Sequence, residues 1–277
     1  MPRLTQASFV IGLGIVGVVL IAALFGPWLS GHDAFAQDLN ARLIPPVWME
    51  GGSTKHLLGT DQLGRDYLTR LLYGARISLF IGVLTVITSG VIGTSLGVLG
   101  GFYGGRIDDA VLFLITCRLS IPVVLVALAV VGLIGSSLTL VVATLGLLLW
   151  DRFAVVARAT TMQIRSLDYV NAAWCSGSSP LAIMRDEILP NIASHLMVVC
   201  TLEIALAILL EASLSFLGLG VPPPLPSWGL MIAEGKDYMF FSAWVIMIPG
   251  LALFTLVLGI NLVGDGLRRA FGTQVIK

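Results

Sequence analysis

Apolar residues along this chain fall into six long runs, at roughly 9–29, 78–101, 111–134, 138–157, 193–217 and 242–264. Each is about 20 residues or slightly more, which as a helix crosses roughly 30 Å of hydrocarbon. None shows the apolar–polar alternation of a barrel strand. In lipid an isolated span must satisfy its own backbone groups, so the pattern predicts an all-α, polytopic membrane protein with six transmembrane helices. Two long polar stretches interrupt the pattern, 30–77 and 152–191.

The first polar stretch divides in two. Pro45-Pro46 and Gly51-Gly52 preclude a long regular element. From Gly59-Thr60-Asp61 onward, Leu63, Tyr67, Leu68, Leu71 and Leu72 recur at helical spacing, with Arg65, Asp66 and Arg70 elsewhere on the wheel. Thr60 or Asp61 is placed to cap that helix. The expected element is an amphipathic helix at the membrane surface, before the second span. On this reading residues 1–77 hold the first span, the outer segment and the interfacial helix, and 78–277 hold a five-span core.

The second span carries Ser89, Gly93, Gly97, Gly101 and Gly105, each four residues after the last. Positions i and i+4 share a helix face. A face without bulky side chains predicts close packing against another helix, of this chain or of a neighbouring subunit.

The second polar stretch reads as two short helices around a turn. Asn171, Ala172 and Ala173 lie on the first, where the alanines permit close approach of another surface. Gly177 supplies the turn. Ser179 caps the second helix, with Pro180 at its first position, where a missing N–H costs nothing. Leu181, Met184 and Ile188 form one apolar edge, and Leu189-Pro190 is expected to end the helix before Asn191. Such an edge on a loop between spans predicts a docking element for a partner.

Composition narrows the class further. The chain is 57% hydrophobic and 12% charged, with formal net charge zero, against about 25% charged in ordinary soluble domains. No basic face argues for nucleic acid. Cys117, Cys175 and Cys200 have no metal-type spacing and read as small packing residues. Ala34-Phe35-Ala36 after the first run resembles a cleavage site, but the run exceeds a signal h-region and only Arg3 precedes it, so an uncleaved first span is expected. The distribution of Lys and Arg modestly favours both termini on the inner side.

Ionisable groups within the apolar runs stand out because a lone ion at mid-bilayer costs on the order of 3 kcal/mol. Glu203 and Glu211 lie on roughly one face of the fifth span, and Arg118 falls near the third. They line a polar pathway or pair structurally. Catalysis is disfavoured: no histidine sits at a span centre, His32 and His56 being in the outer segment and His195 at a span edge. There is no His-Glu-x-x-His, no Gly-x-Ser-x-Gly and no phosphate-binding glycine loop. An enzyme, self-contained ATP use and a metal centre are therefore not expected.

Residues 171–191 resemble the EAA loop of bacterial ABC-importer permeases. Ala172, Ala173, Gly177, Ile183, Leu189, Pro190 and Asn191 match, while Asn171 replaces the usual Glu and Glu187 a common His. Three further stretches resemble the C-type subunit of the dipeptide/oligopeptide/nickel permease family. They are Leu58–Asp66 with Arg70 and Gly74–Leu79, Glu211–Val221 with Pro222-Pro223 and Ser227-Trp228-Gly229, and Asn261–Arg268. The resemblance implies a type I ABC-importer permease fold in the bacterial inner membrane. It implies pairing with a second, homologous permease and docking of two cytoplasmic ATPases, which bind ATP and Mg, on the EAA loops. It also implies delivery of peptides by a periplasmic or extracellular solute-binding protein. Glu203, Glu211 and Ser215 become candidates for the substrate path, and no cofactor belongs to this chain. Nickel or another small chelated solute is the alternative cargo; a scaffold that docks a partner without transport is the alternative class.

Overall fold

The computed structural model describes residues 2–272. The helices are α1 (Pro2–Leu29), α2 (Tyr67–Tyr103), α3 (Gly105–Leu119), α4 (Val123–Ile134), α5 (Leu138–Leu148) and α6 (Asp151–Ile164). They continue as α7 (Asp168–Cys175), α8 (Pro180–Ile183), α9 (Leu189–Phe216), α10 (Trp228–Gly235) and α11 (Trp244–Gly272). Among the described residues, five helices are long and apolar enough to cross a membrane, or six if the bent pair α3–α4 is one span.

The first departure from expectation lies before the second span. No separate surface helix forms there. The helical spacing seen from Tyr67 onward is the first turns of α2 itself, which runs unbroken for 37 residues, about 55 Å at 1.5 Å per residue. Asp66, not Thr60 or Asp61, is its cap: Oδ2 accepts from the Thr69 N–H at 2.8 Å and from the Thr69 hydroxyl at 2.7 Å. Leu63 lies outside the helix, because Gly64 takes φ +72° and turns the chain just before the cap. Arg65 and Arg70 are buried rather than solvated, because carboxylates compensate them.

The third apolar run bends by 78° between α3 and α4. The break falls at Ser120-Ile121-Pro122, where proline lacks an N–H and biases the residue before it away from helix. The fourth run is also interrupted, at Leu149-Trp150 between α5 and α6. The fifth run shows the opposite departure. Leu189-Pro190 does not end the preceding helix: the chain widens into a π-helical turn at Met184–Ile188 and continues into α9. Leu189 N–H bonds back to Met184 O, and Pro190 occupies the first turn of α9, where no N–H is required.

Helix α2 is the central post, and its small-residue face packs on α6 of the same chain. A Cβ on Gly93 would come within 2.2 Å of Trp150 O, one on Gly97 within 2.5 Å of Ala154 O, and one on Gly101 within 2.7 Å of Arg158 O. Ser89 is fully buried on the same face. Gly105 does not belong to this stripe. It lies past the turn at Gly104, begins α3 with φ +54° and has nothing near its missing Cβ. Helix α1 lies on α11, where Gly12 approaches Gly259 O and Gly266 approaches Phe9.

Candidate functional site

Between α6 and α9 the chain builds the turn that local rules predicted. α7 ends at Cys175, Gly177 takes φ +83°, and the Ser179 hydroxyl accepts from Ala182 N–H at 3.3 Å with Pro180 opening α8. The apolar edge is divided. Leu181 is 72% exposed, whereas Met184 and Ile188 are buried against Val98, Phe102, Ala157, Val170 and Ile192. Met184 and Ile188 therefore anchor the element, and the outward apolar groups are Leu181 with Tyr169 and Trp174. Asn171, Ala172, Leu189, Pro190 and Asn191 are exposed and Ala173 half-buried. Asn191 Nδ2 donates to Glu187 O at 2.5 Å, which ties it to the π-helical turn.

This element is keyed to the end of α2. The Trp174 ring stacks on Phe102 at 5.8 Å with 17° between planes. Arg165 Nη1 donates to Gly101 O at 2.9 Å and Phe102 O at 3.0 Å, which satisfies carbonyls at the C-terminal end of α2. Arg158 grips Asp108 with two hydrogen bonds of 2.5 and 2.7 Å, joining α6 to α3. Burial, with the nearby Glu187 charge, pushes the Tyr169 phenol above its usual range. A groove of about 530 Å³ runs between α2 and α8, lined by Thr94, Val98, Leu181, Met184 and Leu189 among others.

Glu203, Arg118 and Glu211 each have a partner among the described residues. Glu203 pairs with Arg152, Nη1 to Oε1 at 3.1 Å, and not with Arg118. That contact is an ion pair off the hydrogen-bond axis, and the buried carboxylate has no other donor among the described residues. Arg118 lies 3.4 Å from Asp151 and its Nε donates to Leu148 O. Eight residues along α9, Glu211 is fully buried, and its Oε1 accepts from Ser215 Oγ at 2.7 Å and Ser227 Oγ at 2.8 Å. Ser227 also caps α10 by accepting from Leu230 N–H at 3.0 Å. Glu203 thus faces α6 and Glu211 faces the start of α10; the structure gives each its own setting.

At the opposite end of α2 is a charge cluster that sequence reasoning missed. Asp61 Oδ2 meets Arg65 Nε at 2.6 Å and also Arg70 Nη1, while Glu234 Oε2 lies 2.9 Å from Arg70 and 3.4 Å from Arg65. Asp61 Oδ1 accepts from the backbone N–H groups of Leu63 and Arg65. The Gly59–Asp66 stretch is therefore a folded knot joining segment 30–66 to α10. A Cβ on Gly64 would lie 1.8 Å from Asp38 O and one on Gly59 2.2 Å from Ile44 O, and Gly59 also has φ +81°. Local amphipathicity could not reveal this, because Asp61 alone cannot neutralise both Arg65 and Arg70, and the second carboxylate, Glu234, lies far along the chain.

Known proteins match this architecture over nearly its whole length. Residues 93–277 match the family described as binding-protein-dependent transport system inner membrane component. Residues 6–46 match the N-terminal transmembrane domain of oligopeptide transport permease C. A di/tripeptide transport system permease of Pseudomonas aeruginosa is 41% identical over 264 residues, covering 95% of this chain and 87% of that protein. A dipeptide transport system permease of Escherichia coli is 39% identical, covering 96% and 89%. A glutathione transport system permease of Pectobacterium atrosepticum is 37% identical, covering 99% and 89%. Among solved structures, an inward-facing methionine ABC transporter matches with TM-score 0.59 at 21% identity, covering 72% of this chain and 95% of that one. This last likeness is one of fold.

Proposed function

The chain belongs to the family of binding-protein-dependent transport inner-membrane components, and from that premise we propose that it is the permease subunit of an ATP-driven importer of di- and oligopeptides. It is a multi-pass protein of the bacterial inner membrane that makes no covalent change itself. The relatives named for di/tripeptides, dipeptides and glutathione support a peptide or peptide-like cargo. In this reading a solute-binding protein delivers cargo at the end bearing residues 30–66 and α10. A second, homologous permease completes the channel. Cytoplasmic ATPases hold ATP and Mg, and one docks on residues 168–191 of this chain. In this reading the first span and segment 30–66 precede the permease core, which begins with α2 at Tyr67.

One observation carries the proposal: α7 and α8 hang between two spanning helices, expose Tyr169, Trp174 and Leu181, and are keyed inward to α2 and α9. A push on this element reaches α2 through the Phe102–Trp174 stack and reaches α9 through the continuous helix beyond Pro180. The α9 face bearing Glu203, Glu211 and Ser215 borders the path. Glu203 is the group that can exchange partners there, because its one ion-pair partner among the described residues, the Arg152 side chain, is 56% exposed. The test is ATPase activity of the reconstituted complex with its binding protein. Dipeptide-loaded binding protein should raise it several-fold over unloaded protein. Equal activity with both would leave the chain a scaffold and not an importer subunit.

A further inference from the structure

Segment 30–66 holds a second set of polar groups that the transport role does not use. His32, His56 and Asp66 each offer one ligand atom, and these atoms lie within 4.8 Å of one another. They come from three separate stretches: the chain just past α1, the turn at residues 53–56, and the cap of α2. They border a cavity of about 140 Å³ whose other charged walls are Asp33, Asp38 and Lys55. Three carboxylates thus face one ammonium group, a balance that favours a cation.

The ring orientations add a second observation. His32 Nδ1 lies 3.0 Å from Ser30 O. A carbonyl oxygen can only accept, so Nδ1 carries the proton and Nε2 keeps its lone pair. A metal-bound histidine is held in this way, by donating its other ring N–H to a carbonyl. His56 Nδ1 lies 2.9 Å from Asp66 Oδ1, and both residues are buried. Asp66 Oδ2 is occupied by the Thr69 N–H and hydroxyl, so Oδ1, which faces His56, is the oxygen a cation would share with that ring.

We propose that His32, His56 and Asp66 form a binding site for a divalent transition metal, zinc in the first place, that fastens the exit of α1 to the cap of α2. Two imidazoles with one carboxylate select zinc over magnesium or calcium, which prefer all-oxygen shells. Ligand atoms around tetrahedral zinc sit about 3.4 Å apart, so small side-chain rotations close the set. His56 Nδ1 and Asp66 Oδ1, now 2.9 Å apart, open slightly to admit the ion. The cation takes the place of the proton between them; that proton moves by way of solvent to His56 Nε2, so the ring binds through Nδ1 as a neutral imidazole. Water fills the fourth position. The site is a resident clamp in segment 30–66 and does not depend on the identity of the cargo.

The test is metal analysis of the purified importer complex, comparing wild type with H32A after equilibration with equimolar Zn2+ and desalting. H32A leaves the Asp66 cap of α2 in place. Wild type should retain one Zn2+ per complex more than H32A, and Zn2+ should raise the thermal midpoint of wild type alone. Equal zinc content in the two would overturn the proposal. Should H32A fail to assemble, Co2+ added to wild type decides: an intense visible band of four-coordinate cobalt supports the site, and its absence overturns it.

Discussion

The buried charge knot at the start of α2 offers the sharpest energetic prediction. Asp61, Arg65, Arg70 and Glu234 form a neutral quartet in which the Asp61, Arg65 and Arg70 side chains are 1%, 3% and 1% exposed. Asp61→Asn preserves shape and the Oδ1 contacts to the Leu63 and Arg65 N–H groups. It replaces Oδ2, however, with an amide that turns donors toward two guanidinium groups. Removing one partner of a buried ion pair costs roughly 3–5 kcal/mol, about two to nearly four orders of magnitude in the folding equilibrium. Glu234 is 15% exposed, so Glu234→Gln should cost only about 1 kcal/mol, as for a partly screened pair. The assay is SDS titration of the purified protein followed by tryptophan fluorescence. Because the penalty of Asp61→Asn is an uncompensated cation, adding Arg70→Met should return part of it, a coupling of at least about 1 kcal/mol. An Asp61→Asn protein within about 0.5 kcal/mol of wild type, or strict additivity with Arg70→Met, would refute the argument that this charge is buried and compensated.

Further predictions follow from the same contacts. Gly97→Ala should cost about 1–3 kcal/mol by overpacking, since its Cβ would lie 2.5 Å from Ala154 O. Gly90→Ala, whose Cβ would rest at an ordinary 3.6 Å from Phe153, should be neutral or stabilising; equal effects in a thermal-stability assay would contradict the α2–α6 register. Leu181→Asp should weaken ATPase co-purification at least tenfold with unchanged thermal stability, whereas Met184→Asp should lower stability first; the reverse order would place the docking edge on the inward face. Glu211→Gln keeps an oxygen for Ser215 and Ser227 to bond, so assembly should be normal. Uptake should nevertheless fall several-fold if this face borders the path, and a modest change in uptake would remove Glu211 from it.

What the sequence disclosed followed from how local the cause was. Helical spans are set by runs of apolar residues, and these were legible. So were the Gly177 turn and the Ser179–Pro180 cap, which depend on neighbours two or three residues away. The orientation of Met184 and Ile188 was not, because it is decided by Val98 and Phe102 on α2. The same holds for Arg65 and Arg70, which look like a polar helix face until Glu234 arrives from α10. The π-helical turn before Pro190 reverses the usual reading of proline as a stop, since a wider turn passes the chain through without the missing N–H. His32, His56 and Asp66 have no motif spacing, and only the fold of segment 30–66 brings them together.

The central claim is that this chain forms part of a peptide path opened by force applied at residues 168–191. Uptake of labelled dipeptide into proteoliposomes holding the whole complex, with ATP inside and loaded binding protein outside, tests it most directly. ATP-dependent accumulation in wild type and its loss in Leu181→Asp, in a complex that still binds the loaded binding protein, is the predicted result. Undiminished accumulation with Leu181→Asp, or none in wild type despite stimulated ATP hydrolysis, would contradict the account.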